Sequence, residues 1–171
     1  VVEAKNQNGD PFLPWEVNIV VDNTDVASRP IIVLKDPSYV NLIGAVDRAG
    51  FAGGMSYSDH THISAGVLAQ ANGGFIIVSI YDLLKNGVWD ILKSAIRNEE
   101  VRIESAPIFR GWIPSPIRPQ PLPVKIKIIA FGSREWWHLL EMYDPEFLGL
   151  FGVKAEVLPD VELNTAQVGA Y

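Results

Sequence analysis

The sequence predicts an α/β domain built on a mainly parallel sheet, and three observations lead there. Phe75–Ser79 (FIIVS) is continuously apolar and rich in β-branched residues, the pattern of a strand covered on both faces. Residues 82–96 and Arg134–Tyr143 place apolar side chains at helical spacing between such runs. The order strand, helix, strand, irregular arm, strand, helix is that of crossover connections rather than of hairpins.

In chain order, residues 1–14 are polar, carry the turn signal Asn8-Gly9-Asp10-Pro11, and read as a linker. Residues 15–21 (WEVNIVV) read as a strand closing on the turn pair Asp22-Asn23, and residues 30–34 (PIIVL) as a second strand ended by Asp36-Pro37. Ser64 is placed to cap a helix over 65–71 by accepting a first-turn N–H. The helix over 82–96 uses Leu83, Leu84, Val88, Leu92, Ala95 and Ile96 and is interrupted at Asn86-Gly87. Residues 107–123 hold six prolines in seventeen positions, which excludes a helix or a central strand and predicts an extended arm or projecting hairpin. Residues 124–131 alternate Lys with Ile before becoming wholly apolar, so that strand starts at a rim. In Arg134–Tyr143, Trp137 and Leu140 face inward, and neighbouring Trp136 points about 100° away. A last, weaker strand spans 153–158. The domain is thus expected over 15–158, with 159–171 as a second linker.

Composition bounds the function. A chain of 171 residues with 48% hydrophobic and 20% charged residues suits one globular domain. It has no cysteine, so disulfides, zinc–thiolate sites and thiol nucleophiles are excluded, and a reducing, cytoplasmic setting is expected. A net charge of −6 argues against nucleic acid or an anionic membrane as partner. No run approaches the roughly 18 apolar residues of a membrane helix. The chain opens Val1-Val2-Glu3 without Met or a signal pattern, and its ends are expected to be cut points in a longer protein.

Motifs for chemistry are sparse. The glycine cluster Gly50-Phe51-Ala52-Gly53-Gly54 lacks the Lys-Ser or Lys-Thr of a phosphate-binding loop and reads as a turn. Asp59, His60 and His62 are close in sequence but bring no third metal ligand, so no metal is expected. Ser133, His138 and Asp144 follow one another without a nucleophile elbow and with poorly matched helical faces. Phe51, Tyr57 and Trp112 could grip a peptide or merely pack a flank.

The run Ala65-Gly66-Val67-Leu68-Ala69-Gln70-Ala71-Asn72-Gly73-Gly74-Phe75 resembles a block of Lon-related AAA+ proteases written A-G-A-L-H-R-A-N-G-G-Y. Further blocks follow in the same order. Val17 to Asn23 is similar to V-N-V-L-V-D-N, and Pro37 to Gly44 to N-P-T-Y-x-N-L-F-G. Trp89 to Arg97 resembles W-x-x-L-K-R-A-L-R, Glu100 to Glu104 resembles E-[VI]-R-I-E, and Asp144 to Phe151 resembles D-P-x-F-x-x-L-F. The resemblance implies a partial AAA+-like, P-loop NTPase-type, three-layer domain with a mainly parallel sheet. That domain lacks the P-loop segment and projects the Pro-rich arm.

It also implies roles. The strand ending at Ser79 takes the place of Walker B, with Ser79 where an Asp is expected and Asp82 three positions on, so nucleotide binding there is degenerate. The family's His-Arg pair reads Ala69-Gln70, the sensor position falls near Gly132-Ser133, and the arginine-finger position reads Leu150-Phe151. Phe51 and Met55 fall where AAA+ proteins carry a substrate-gripping pore loop, and residues 102–123 where a second loop projects. The fragment is expected to use no cofactor and perform no catalysis. The parent resembles a Lon-type serine endopeptidase with possible ATP and Mg²⁺, protein substrates and ring self-association. An ATPase half-domain completed by a P-loop segment, and a peptide- or partner-binding α/β module, are the alternative readings.

Overall fold

The computed structural model describes residues 15–24, 27–47, 59–103 and 118–157, and the backbone of 49–50 and 56–57. Its frame is a three-stranded parallel sheet of β1 (Ile31–Leu34), β6 (Phe75–Ser79) and β9 (Lys127–Phe131), in that order. Ile32 registers with Ile76, and Ile76 with Ile128, so one face gathers Ile32, Leu34, Ile76, Val78, Ile128 and Ala130.

Between β1 and β6 the chain forms α1 (Tyr39–Ile43), β2 (Gly44–Val46), β3 (Ala49–Gly50), β4 (Ser56–Tyr57), a 3-10 turn (His60–His62), β5 (Ile63–Ala65) and α2 (Val67–Gln70). Between β6 and β9 it forms α3 (Ile80–Lys85), α4 (Trp89–Asn98), β7 (Glu100–Val101) and β8 (Leu122–Pro123). α5 (Arg134–Tyr143) and α6 (Phe147–Leu150) follow β9. Among the described residues, no helix is long and apolar enough to cross a membrane.

Two of the sequence blocks have a direct steric reason. β2 and β5 pair antiparallel with Gly44 opposite Ala65. At this crossing Gly44 has φ 103°, and a Cβ on Gly66 would lie 2.4 Å from the Gly44 nitrogen. No side chain fits between the two backbones, so both positions require glycine. The Asn72-Gly73-Gly74 turn is a clamp. Asn72 Nδ2 donates to the Pro123 carbonyl (3.3 Å), and Asn72 Oδ1 accepts from the Lys125 N–H (2.8 Å). Gly73 N–H donates to the Lys125 carbonyl (2.8 Å), and a Cβ on Gly74 would meet the Pro30 carbonyl oxygen at 2.0 Å. One polar side chain and two glycines thereby tie the start of β6 to both neighbouring strands.

Both crossovers carry the chain the same way across the sheet, from β1 to β6 to β9. Right-handed connections then lie on one side. The core agrees: Leu42, Leu68, Leu83, Leu92 and Phe147 are all buried in one cluster with Ile76 and Val78. Among the described residues the opposite face stays bare. Ile31 (65% exposed), Val33 (55%), Ile129 (49%) and Phe131 (54%) line it around partly buried Phe75 and Ile77. The described residues therefore form two layers, sheet and helices.

Several local expectations change. Residues 15–21 form no strand; Trp15, Val17 and Ile19 are exposed. Asn18 Nδ2 instead donates to the carbonyls of His60 and Ile63, both at 2.9 Å, and the segment is anchored by side chain rather than by a ladder. Ser64 lies in β5 and donates to the Ala45 carbonyl, because the Gly44–Gly66 crossing delays the helix to Val67. The stripe over 82–96 is two helices, α3 starting at Ile80 and α4 at Trp89, broken at the predicted Asn86-Gly87. Of the expected strand 153–158, residues 153–157 form no strand, with Val153 and Val157 about 90% exposed and no pairing neighbour among the described residues, and residue 158 lies outside them. Leu122–Pro123, at the end of the Pro-rich stretch, pairs antiparallel with Glu100–Val101, and residues 104–117 between them lie outside the described residues. The linker segments 1–14 and 159–171 lie outside them too.

Candidate functional site at the C-terminal end of the sheet

In an open parallel sheet, ligands bind beyond the carboxyl ends of the strands. Here that end is formed by Leu34, Ser79 and Phe131, with Ser79 in register beside Phe131. β6 runs straight into α3, and Ser79 (φ −76°, ψ 128°) is the helix N-cap. Its hydroxyl accepts the Asp82 N–H at 3.3 Å, satisfying one free donor of the first turn. Asp82 is the acidic residue of that turn, where a carboxylate complements the helix dipole. The sequence pairing of Ser79 with Asp82 is thus a contact in space, through the Asp82 backbone.

Ser133 is the N-cap of α5, with extended backbone (φ −72°, ψ 162°). Its hydroxyl bonds the Glu135 carboxylate, which holds that exposed acid below the usual carboxylate range. Trp136 turns from the same helix onto Tyr81, ring centroids 5.6 Å apart, and Trp137 meets Phe147 edge-on at 4.8 Å. Both tryptophans are half-buried on different neighbours, as their angular separation requires.

Phe151 is a packing residue. It stacks on Trp89 (5.6 Å) and on Phe147 (5.4 Å). Beside this stack lies an ionic latch that sequence reasoning missed. Lys93 Nζ is 2.8 Å from Asp144 Oδ2 and 3.0 Å from Asp90 Oδ1, with the Lys93 and Asp144 side chains about nine-tenths buried. Trp89 Nε1 donates to the same Asp144 oxygen at 2.7 Å, and the Glu146 N–H donates to its partner oxygen at 3.0 Å. Burial pushes Asp144 up, but the hydrogen bonds from Lys93 and Trp89 outweigh it and hold the carboxyl below its ordinary value. The hydrogen bond to Asp144, against burial, raises Lys93. The available signal was the i, i+4 spacing of Trp89 and Lys93, which puts both on one helical face toward the Asp-Pro block. Asp144, committed here, is not part of a triad; His138 Nδ1 faces Glu141 at 3.5 Å.

Around the 3-10 turn, Asp59 Oδ1 accepts from Thr61 N–H (2.9 Å) and lies 2.7 Å from His62 Nδ1. Burial raises Asp59, and the Thr61 and His62 hydrogen bonds reverse this to leave it lowered. His60 Nε2 turns instead to the Glu16 carbonyl at 2.7 Å. Among the described residues, no three His, Cys, Asp or Glu gather as a metal-holding group. Phe51 and Met55, the pore-loop candidates, lie outside the described residues, between β3 and β4, which pair antiparallel. Trp112 also lies outside them.

Residues 27–157 match the family model described as "LonB-like, AAA domain". No curated protein matches the chain.

Proposed function

Since the chain belongs to the LonB-like AAA domain family, we propose that it is a degenerate AAA+-like module serving assembly or substrate threading in a Lon-related protease, without ATP hydrolysis of its own. The observation that carries this reading is Ser79. Phosphoryl transfer needs a carboxylate at the end of this strand to hold Mg²⁺ and another acid to orient water. The strand ends instead in a neutral hydroxyl spent on capping α3. The donor set does not fit a Mg–nucleotide centre. Leu150, an apolar residue where the resemblance expects a finger cation, supports the same conclusion.

The bare sheet face supports the three-layer architecture with one layer supplied from elsewhere. A parallel sheet is ordinarily covered on both faces, and here Ile31, Val33, Ile129 and Phe131 have no cover among the described residues. Among the described residues β1 and β9 are the two edges of the sheet, and either offers unpaired backbone to a further strand. This also favours the second reading, an ATPase half-domain completed by a P-loop segment. Phe51 and Met55 are proposed to grip substrate, and self-association into a ring and a cytoplasmic location follow from the Lon-related context.

Calorimetric titration of Mg–ATP and Mg–ADP into this chain, and into any longer natural polypeptide that contains it, tests the proposal. No heat from either supports a nucleotide-free module. Binding by the longer polypeptide with a Kd below about 100 μM, lost on substituting a P-loop Lys, overturns it in favour of the half-domain.

A further inference from the structure

A groove of about 430 Å³ opens at the end of the sheet remote from Ser79, where β6 and β9 begin. That volume lies in the range of small-ligand sites, about 300–1,000 Å³. Its floor is apolar, built from Phe75, Ile96, Val124 and Ile126. On the rim stand three cations, Arg29, Lys125 and Lys127, and one acid, Glu99. In a chain of net charge −6 this is a local reversal of sign, so an anion is drawn to this end.

Two further features mark the place. The wall is held before any ligand arrives, because the Asn72 clamp bonds the carbonyl of Pro123 and the N–H of Lys125. Less ordering is then left to be done on binding. Glu99 has φ 52°, the one positive φ at a non-glycine position among the described residues, at a helix C-terminus where glycine fits best. The chain keeps a carboxylate where a bare backbone is sterically preferred.

We propose that this groove binds the free carboxy-terminal end of a polypeptide. The apolar last side chain lies on the floor, the terminal carboxylate meets the cations of Lys125, Lys127 and Arg29, and a backbone N–H of the peptide faces Glu99. The mixed rim selects this class. A polyphosphate satisfies the cations but offers Glu99 no hydrogen-bond donor, and an apolar ligand leaves all four charges unused. A peptide end supplies an anion, a donor and an apolar group within about one residue's length. Its use as a substrate tether rests on the proteolytic context proposed above, whereas the binding itself does not.

Fluorescence anisotropy with dye-labelled Ala-Ala-Ala-Leu, as free acid and as C-terminal amide, tests this on the chain itself, whatever nucleotide titration gives. The free acid binds, more weakly at high salt, and the amide at least tenfold less tightly. Lys125→Ala with Lys127→Ala, both exposed side chains, abolishes that preference. Glu99→Gly weakens binding while raising the thermal midpoint, a split that a purely structural Glu99 does not produce. Equal binding of acid and amide, no binding of either at millimolar peptide, or an affinity indifferent to the double Lys substitution each overturns the assignment.

Discussion

Replacing Lys93 with Met keeps the volume of the side chain and removes its ammonium group from the latch between α4 and the turn before α6. Lys93 faces Asp144 at 2.8 Å, Asp90 at 3.0 Å and Glu146 at 3.7 Å. Removing one partner of a buried pair costs about 3–5 kcal/mol, chiefly by stranding the other charge. Asp144 would still accept from Trp89 Nε1 and the Glu146 N–H, and Asp90 is 88% exposed, so the lower end, about 3 kcal/mol, applies. For a domain of this size each kcal/mol moves the midpoint by about 2–4 °C, which gives a fall of about 6–12 °C. Urea unfolding followed by tryptophan fluorescence reads it directly. Lys93→Met with Asp144→Asn should recover about 2 kcal/mol of that loss, because the stranded charge is gone. The pH dependence has a definite sign. Asp144 is depressed in the folded state, so its contribution is present above the ordinary carboxyl value of about 3.9 and is lost as pH falls through the lowered folded one. Lys93 is raised, so its contribution is full below about 10.4 and lost as pH rises through its folded value. Lys93→Met should flatten the acid limb. A single variant within about 0.5 kcal/mol of the parent, or a double variant worse than the sum of the singles, refutes the latch.

Gly66→Ala should destabilise by about 3 kcal/mol or more, because the new methyl group meets rigid backbone at 2.4 Å; retention of the native midpoint in a thermal melt contradicts the crossing geometry. Asn72→Ala removes both side-chain bonds of the clamp and should cost about 1–3 kcal/mol, with faster amide exchange at Lys125 as the local signature. Val33→Lys with Ile129→Lys, on the bare sheet face, should leave stability within about 1 kcal/mol and reduce binding of a hydrophobic dye. A large loss of stability there means that the chain itself covers the face.

The sheet was legible because its evidence is local. Phe75–Ser79 occupies the span its apolar run predicts, and Arg134–Tyr143 the span of its stripe. Residues 15–21 carry an equally strong β pattern and form no strand. Composition describes what a segment can become, whereas a strand exists only where a neighbour offers unpaired backbone. Of the site, Ser79 and Asp82 could be paired from the sequence. The sequence names Lys93 and Asp144 separately, in distinct blocks, and their pairing across the α4–α6 packing has no local signature.

The sequence by itself determined the α/β class, the break at Asn86-Gly87 and the family, and it marked the three sheet strands among five candidates, because these rest on side-chain patterning within short windows and on blocks kept in order. Only the tertiary structure decided that Gly44 and Gly66 cross in contact, that Asn72 bridges to residues 51 and 53 positions away, that Phe151 stacks on Trp89 and Phe147, and that among the described residues one sheet face is left bare. Each of these depends on which distant backbone or ring arrives opposite a residue. That is a property of strand order and crossover handedness, and no window of neighbouring residues contains it.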